Sequence, residues 1–149
     1  MTYEIVVGVD GSAASVAALR WSMDQAASRG GEVTALLAWQ LPHISMPGAF
    51  DRDELAQAYQ DLLVRTVRTV ERALEVPVRT MLAEGDPARA LVAAAREADA
   101  LVLGIRSRTA PAGLPLGAVS QACGATAACP VVLIKGPDGP NLALAARVT

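Results

Sequence analysis

Two segments of the chain combine glycine with hydroxyl or carboxylate side chains at short spacing. The first is Asp10-Gly11-Ser12, and the second runs from Gly104 to Gly117-Ala118-Val119-Ser120. Glycine lets a ligand come close to the backbone because it has no side chain. Hydroxyl and carboxylate oxygens accept hydrogen bonds, and hydroxyl and backbone N–H groups donate them. These residue types favour the binding of a polar or anionic small molecule.

The second segment is predicted to open a helix at Gly117. The first N–H groups of a helix have no partner within it, and the positive end of its dipole attracts anions. Arg106, earlier in the same loop, could add charge-assisted hydrogen bonds to a phosphate. Gly117 and Ser120 could equally do no more than start and cap the helix. The residues alone leave both interpretations open.

Asp10 also has two interpretations. Its carboxylate could accept hydrogen bonds from a ribose or from the edge of a base. It could instead cap the following helix, a role that Ser12 can also fill. Because Ser12 already offers a cap, the first interpretation is favoured.

Strand-like and helix-like runs alternate along the chain and must position these segments. Apolar, β-branched runs predict strands, and apolar residues at helical spacing predict helices between them. Such alternation is typical of a three-layer α/β fold, an open sheet of five mostly parallel strands with helices on both faces. Strands are predicted at 4–9, 32–39, 78–83, 100–105 and 131–135. Helices are predicted between Asp10-Gly11-Ser12 and Gly30-Gly31, from about 51, from 87 to about 97 and from 117 to about 128.

The strand order follows from the two candidate loops. In an open parallel sheet, ligands bind beyond the carboxyl ends of the strands, where the order of winding reverses. The loops after the first and fourth strands line one site if those strands are neighbours. This condition favours the order 3-2-1-4-5 over the alternative 2-1-3-4-5.

The 149 residues suit one domain, expected over residues 1–136. A flexible tail is expected over 137–149, because Gly136-Pro137-Asp138-Gly139-Pro140 breaks regular structure. The apolar runs are too short to cross a bilayer, so no membrane partner is expected. The N-terminus lacks the pattern of a secretory signal, which predicts a cytoplasmic protein. A net charge of −2 and few aromatic residues make nucleic acid an unfavoured partner.

Metal and redox chemistry receive no support from the cysteine and histidine positions. Cys123 and Cys129 have neither metal-site nor redox-motif spacing, and are interpreted as small buried apolar residues. His43 lies in a proline-flanked loop. No metal site and no catalytic residue are therefore predicted.

Three groups of residues resemble the universal stress proteins, and the resemblance covers residues 3–135. They are Val9-Asp10-Gly11-Ser12, Glu84-Gly85-Asp86-Pro87, and the stretch from Gly104 through Gly117-Ala118-Val119-Ser120 to Cys129-Pro130. Members that bind ATP share a pattern of glycines and a hydroxyl that falls here on Gly104, Ser107, Gly117 and Ala118. Two positions depart, because Ser107 replaces a glycine and Ala118 removes a hydroxyl.

The resemblance implies ATP as the ligand and assigns roles to individual residues. Val9, Asp10 and Ala38 would hold adenine and ribose, while Gly104, Arg106, Gly117, Val119 and Ser120 would face the phosphates. It also implies a homodimer formed through the last strand, Val131 to Ile134. In a monomer that strand would be an exposed apolar edge, a physical reason to pair.

Three functions remain as hypotheses. The first is an adenine-nucleotide (ATP) binding protein that acts as a dimer in stress response or signalling. The second has the same fold but acts through protein contacts without nucleotide. The third, a slow ATP hydrolase, ranks last because the sequence has no Walker lysine motif and Asp10 is the only acid in the candidate loops. No enzymatic activity is therefore expected.

Overall fold

The computed structural model of the protein describes residues 2–41, 51–71, 75–105 and 118–136, and the backbone of 143–146. The elements are β1 (Glu4–Gly8), α1 (Ala13–Arg29), β2 (Glu32–Trp39), α2 (Arg52–Glu71), β3 (Val78–Glu84), α3 (Pro87–Ala94), β4 (Ala100–Ile105), α4 (Ala118–Thr126), β5 (Val131–Lys135) and β6 (Ala143–Ala146). The five predicted strands agree with these bounds to within one residue. Helices α3 and α4 end two or three residues earlier than predicted.

The strands form one sheet in the order β3-β2-β1-β4-β5-β6. The first five are parallel, which confirms the predicted order 3-2-1-4-5. Strand β1 pairs with β2 on one side and with β4 on the other. The loops that follow β1 and β4 therefore begin side by side at one edge of the sheet.

Helices cover both faces of the sheet, as predicted. One core joins β1 to α1 and α2 through Val7, Leu19 and Leu63, which are at most 1% exposed. The other core joins Val6 of β1 to α3 and α4 through Leu91 and Cys123. Successive residues of β1 point to opposite faces, so a strand buried on both faces needs a continuous apolar run.

The sixth strand was not predicted. Ala143–Ala146 lies in the segment expected to be a tail, yet it pairs antiparallel with β5 in this structure. The expectation that Val131 to Ile134 form an exposed edge in a monomer is therefore wrong, because β6 occupies that edge. The run Ala-Leu-Ala-Ala lacks the β-branched residues that identify strands in a sequence. The homodimer itself stays a prediction.

Both cysteines are buried, as predicted. Burial, followed by the nearby charges of Asp86 and Cys129, raises the pKa of the Cys123 thiol from 9.0 to about 11. Burial also raises the pKa of Cys129. Since only the thiolate is a strong nucleophile, native Cys123 should be poorly reactive at neutral pH.

We expect Cys123 to react with iodoacetamide at least about a hundredfold more slowly in the native protein than in urea, because two pKa units remove that fraction of thiolate. Between pH 9 and 11 the folded state keeps a proton that the unfolded state has lost. The free energy of unfolding should therefore fall as pH rises from 9 to 11. The fall should be smaller in Cys123→Ala, which lacks this thiol. Urea midpoints across the window measure the difference. Equal labelling rates in native and unfolded protein would contradict the buried position.

Within the part of the chain that the structure describes, none of the helices has the length and apolar character that crossing a membrane requires.

Candidate functional site

A cavity of about 180 Å³ lies at the carboxyl ends of β1, β2 and β4. It is on the face of the sheet that α3 and α4 cover, since Leu91 and Val119 belong to that core. Its position matches the place where the chain reverses its winding, between β1 and β4. The residues that line it are Gly8, Val9, Asp10, Ser15, Leu36, Ala38, Pro87, Leu91, Leu103, Gly104, Val119 and Ser120.

The first turns of three helices meet at this cavity. Ser15 is the third residue of α1, Pro87 is the first residue of α3, and Val119 and Ser120 follow the first residue of α4. Helix first turns carry the positive end of the helix dipole, although the side chains of Ser12 and Asp86 already cap N–H groups of α1 and α3. The arrangement favours a negatively charged group at the mouth of the cavity.

The turn between β1 and α1 is held by side-chain hydrogen bonds. The Ser12 hydroxyl accepts a bond from the Ser15 backbone N–H at 3.1 Å and is the N-cap of α1. The Asp10 carboxylate accepts one from the Ser12 N–H at 2.8 Å. Ser12 is thus the cap, and Asp10, which is exposed, shapes the turn that precedes it.

The Ser15 hydroxyl forms hydrogen bonds to two other residues of the same turn. Its hydroxyl donates to the Ser12 carbonyl at 3.0 Å and accepts from the Asp10 backbone N–H at 3.3 Å. The side chain is 4% exposed and lines the cavity. Gly11, between these residues, has φ +84°, a conformation that glycine adopts without strain. The position of Asp10 is therefore set by a network inside the turn.

The inner wall of the cavity is apolar. Leu36 of β2, Leu91 of α3 and Leu103 of β4 all contribute to it. A Cβ atom added to Gly8 would lie 2.9 Å from Cδ2 of Leu103 and 3.3 Å from Cδ2 of Leu91. The two leucines therefore occupy the space over β1 that a side chain at position 8 would take. An apolar surface of this kind suits the face of a planar base.

Gly104 has a packing role in addition to the binding role predicted for it. A Cβ atom there would lie 2.3 Å from the carbonyl oxygen of Ala14 and 2.8 Å from the backbone nitrogen of Ser15. The first turn of α1 thus approaches β4 so closely that only glycine fits. This requirement is independent of any ligand.

The structure brings together six of the ten predicted site residues around one cavity: Val9, Asp10, Ala38, Gly104, Val119 and Ser120. Ala118 is the exposed first residue of α4 and is not in the cavity lining. Arg106, Ser107 and Gly117 lie outside the described residues. The binding roles given to all ten stay predictions.

Six of the residues that line the cavity were not predicted from the sequence. Ser15 and Pro87 belong to helix first turns next to recognised turn signals, so their position in the chain could have pointed to them. Leu36, Leu91 and Leu103 carry no such signal, because an apolar residue in a strand or helix is most simply a core residue. The missed residues are Gly8, Ser15, Leu36, Pro87, Leu91 and Leu103.

The fold and the site together define a doubly wound α/β domain with a cavity at its topological switch point. The model of the universal stress protein family matches residues 1–135. The chain therefore belongs to the universal stress protein family.

Individual relatives agree with this assignment. A universal stress protein of Mycobacterium tuberculosis is 33% identical over 132 residues, covering 88% of this chain and 44% of the relative. The chain thus spans less than half the length of that relative. A universal stress protein from Archaeoglobus fulgidus, solved in complex with dAMP, is 25% identical with a TM-score of 0.64, covering 89% of this chain and 98% of that one.

A further solved structure supports the fold. It is a universal stress protein in complex with cAMP, which superimposes with a TM-score of 0.70 at 24% identity over 91% of this chain and 98% of that chain.

Proposed function

We propose that the protein binds an adenine nucleotide, ATP by the family resemblance, in the cavity at the ends of β1, β2 and β4. The observation that carries the proposal is the combination in one cavity of an apolar inner wall and the first turns of α1, α3 and α4. A nucleotide has the matching parts, a flat base and a charged phosphate chain. The structure solved with dAMP supports an adenine nucleotide as the ligand class.

The proposed pose places each part of the nucleotide against a matching surface. The base packs on Leu36, Leu91 and Leu103, and the ribose hydroxyls approach Asp10. The phosphates lie toward Ser120 at the start of α4, where backbone N–H groups and the helix dipole stabilise negative charge.

Binding should be weaker than in relatives with the full glycine and hydroxyl pattern. Ala118, at the first position of α4, supplies no side-chain donor. A hydroxyl hydrogen bond to a charged phosphate contributes about 1.5 to 3 kcal/mol, so its loss weakens binding roughly ten- to a hundred-fold. The backbone N–H of Ala118 remains as a donor.

Isothermal titration of the purified chain with ATP, AMP and cAMP tests the proposal. We expect heat of binding and a raised melting temperature for at least one of the three at millimolar concentration. Absence of both signals for all three would refute nucleotide binding. Mass spectrometry of any ligand released from freshly purified protein gives an independent answer.

Replacing the Asp10 carboxylate should weaken binding while the turn stays intact. In Asp10→Asn the side-chain oxygen can still accept the Ser12 N–H, but a charged acceptor for a ribose hydroxyl is lost. Hydrogen bonds to charged groups contribute about 1.5 to 3 kcal/mol, so affinity should fall about ten- to a hundred-fold. Asp24→Asn, at an exposed position of α1, is the matched control. Equal nucleotide affinity of Asp10→Asn and Asp24→Asn would show that the Asp10 carboxylate does not contribute to binding.

The proposed output is stress response or signalling by a dimer, through a change of shape or partner rather than catalysis. Among the residues that line the described cavity, Asp10 is the only ionisable side chain apart from hydroxyls. Phosphoryl transfer to water needs a group to position the water and usually a metal-binding carboxylate besides. A single carboxylate already engaged in the β1–α1 turn does not fill both roles.

The second candidate is a protein of the same fold that acts through protein contacts without nucleotide. The observation in its favour is the size of the cavity, because about 180 Å³ is below the ~300–1,000 Å³ of typical ligand pockets. The departures at Ser107 and Ala118 point the same way. The titration above separates the candidates, since this one predicts no heat with any nucleotide.

A further inference from the structure

Strand β6 covers the edge of the sheet that would otherwise end at β5. Its four residues pair with the four apolar residues of β5, from Val131 opposite Ala146 to Ile134 opposite Ala143. Residues 143–146 lie beyond the segment, 1–135, that matches the family model. The cover therefore lies outside the part of the chain that the family model matches.

The edge of β5 is suited to a second copy of the same strand. β6 runs antiparallel to β5, so this edge accepts an antiparallel partner. A two-fold axis perpendicular to the sheet would bring two β5 strands together in that orientation, and two-fold symmetry is the commonest in homo-oligomers. A second β5 can thus form the same kind of ladder that β6 forms.

The two partners differ in strand propensity and in how they are delivered. The run Val-Val-Leu-Ile in β5 favours strand pairing, whereas Ala-Leu-Ala-Ala in β6 does not. Being part of the same chain, β6 has the advantage of a high effective concentration. The pairing at this edge is therefore a competition between a weak strand that is always present and a stronger one that depends on protein concentration.

We propose that β6 is a displaceable cover that keeps β5 from pairing with a second copy, and that its release permits the homodimer. This inference rests on the dimer in the proposed function and adds its regulation. Because both copies must release β6, the cost of opening enters twice in the apparent dimer dissociation constant. A cover closed nine-tenths of the time would weaken the dimer about a hundredfold.

Full-length variants that release or lock β6 test the inference. In Ala145→Pro/Ala146→Pro one of two consecutive residues must lose an N–H directed at β5, since these groups alternate along an antiparallel ladder. Ala145→Ser/Ala146→Ser keeps both N–H groups and is the control. Val132→Cys/Ala145→Cys places two thiols on opposite residues, within disulfide range, and locks the cover when oxidised.

Sedimentation over a range of protein concentrations measures the dimer dissociation constant of each variant. We expect the proline variant to dimerise at least about tenfold more tightly than the parent and the serine control, and the oxidised lock to stay monomeric until it is reduced. Dimers in every variant, the oxidised lock included, would overturn the cover while leaving the dimer. Monomers in every variant would overturn both, and titration with nucleotide tests the binding proposal separately.

Discussion

Gly104→Ala should lower the stability of the protein by about 3 kcal/mol or more, at the upper end of the range for overpacked sites. The added methyl would lie 2.3 Å from the Ala14 carbonyl oxygen, and the contacting atoms belong to the backbone of α1. Backbone within a helix cannot rotate away as a side chain can. Helix α1 or strand β4 must therefore shift as a unit.

Urea unfolding measures the effect, and thermal unfolding should show a fall of about 6–12 °C for a chain of this size. Gly124→Ala, in α4, is the matched control because an added Cβ atom there meets nothing within 4 Å. The control should stabilise the protein slightly, since alanine favours a helix interior over glycine by about 0.5–1 kcal/mol. Similar stability of Gly104→Ala and the parent would contradict the close approach of α1 to β4.

The same substitution should also impair the proposed site. Ser15, which holds the Asp10 turn through its hydroxyl, is one of the two residues that the methyl would displace. Nucleotide affinity of any folded Gly104→Ala should therefore fall together with stability.

Ala38→Trp should abolish nucleotide binding while the protein stays folded. Ala38 is a small, half-buried residue at the carboxyl end of β2, and it lines the cavity. An indole at this position would fill much of a space of about 180 Å³ and compete with the base for the apolar wall. We expect the loss in affinity to be at least about a hundredfold, which is ~2.7 kcal/mol.

Titration with the nucleotide that binds the parent, together with circular dichroism, measures this effect. Ala27→Trp introduces the same side chain on the exposed face of α1 and should bind as the parent does. Retained nucleotide binding in Ala38→Trp would show that the nucleotide binds to another part of the molecule. Loss of binding in both variants would indicate a general effect of added tryptophan rather than a blocked cavity.

The bounds of the strands could be predicted from local sequence patterns, whereas their order in the sheet needed one further assumption. The buried runs of β1, β4 and β5 predicted strands with bounds close to those observed, because a strand covered on both faces must be apolar throughout. The order of the strands followed from one added assumption, that the loops after β1 and β4 share a site. The pairing of β1 with β4 confirms that order.

The site could be predicted in part, because some of its residues lie at positions that local sequence patterns identify. Asp10 and Ser120 follow strand ends or open helices, and those positions are marked by glycine, hydroxyl and carboxylate residues. Leu36 and Leu91 come from a neighbouring strand and from a helix across the cavity, and nothing in their local sequence separates them from core residues. Their contribution depends on which elements pack against each other.

The first five strands and the four helices could be predicted from the amino-acid sequence, because hydrophobic periodicity reflects which face of each element is buried. The close contact at Gly104, the apolar wall of the cavity and the pairing of β6 with β5 became apparent only in the folded structure. These features depend on distances between segments far apart in the chain. Such distances are set by packing and by backbone hydrogen bonds between segments, and neither can be predicted from the residues around a single position.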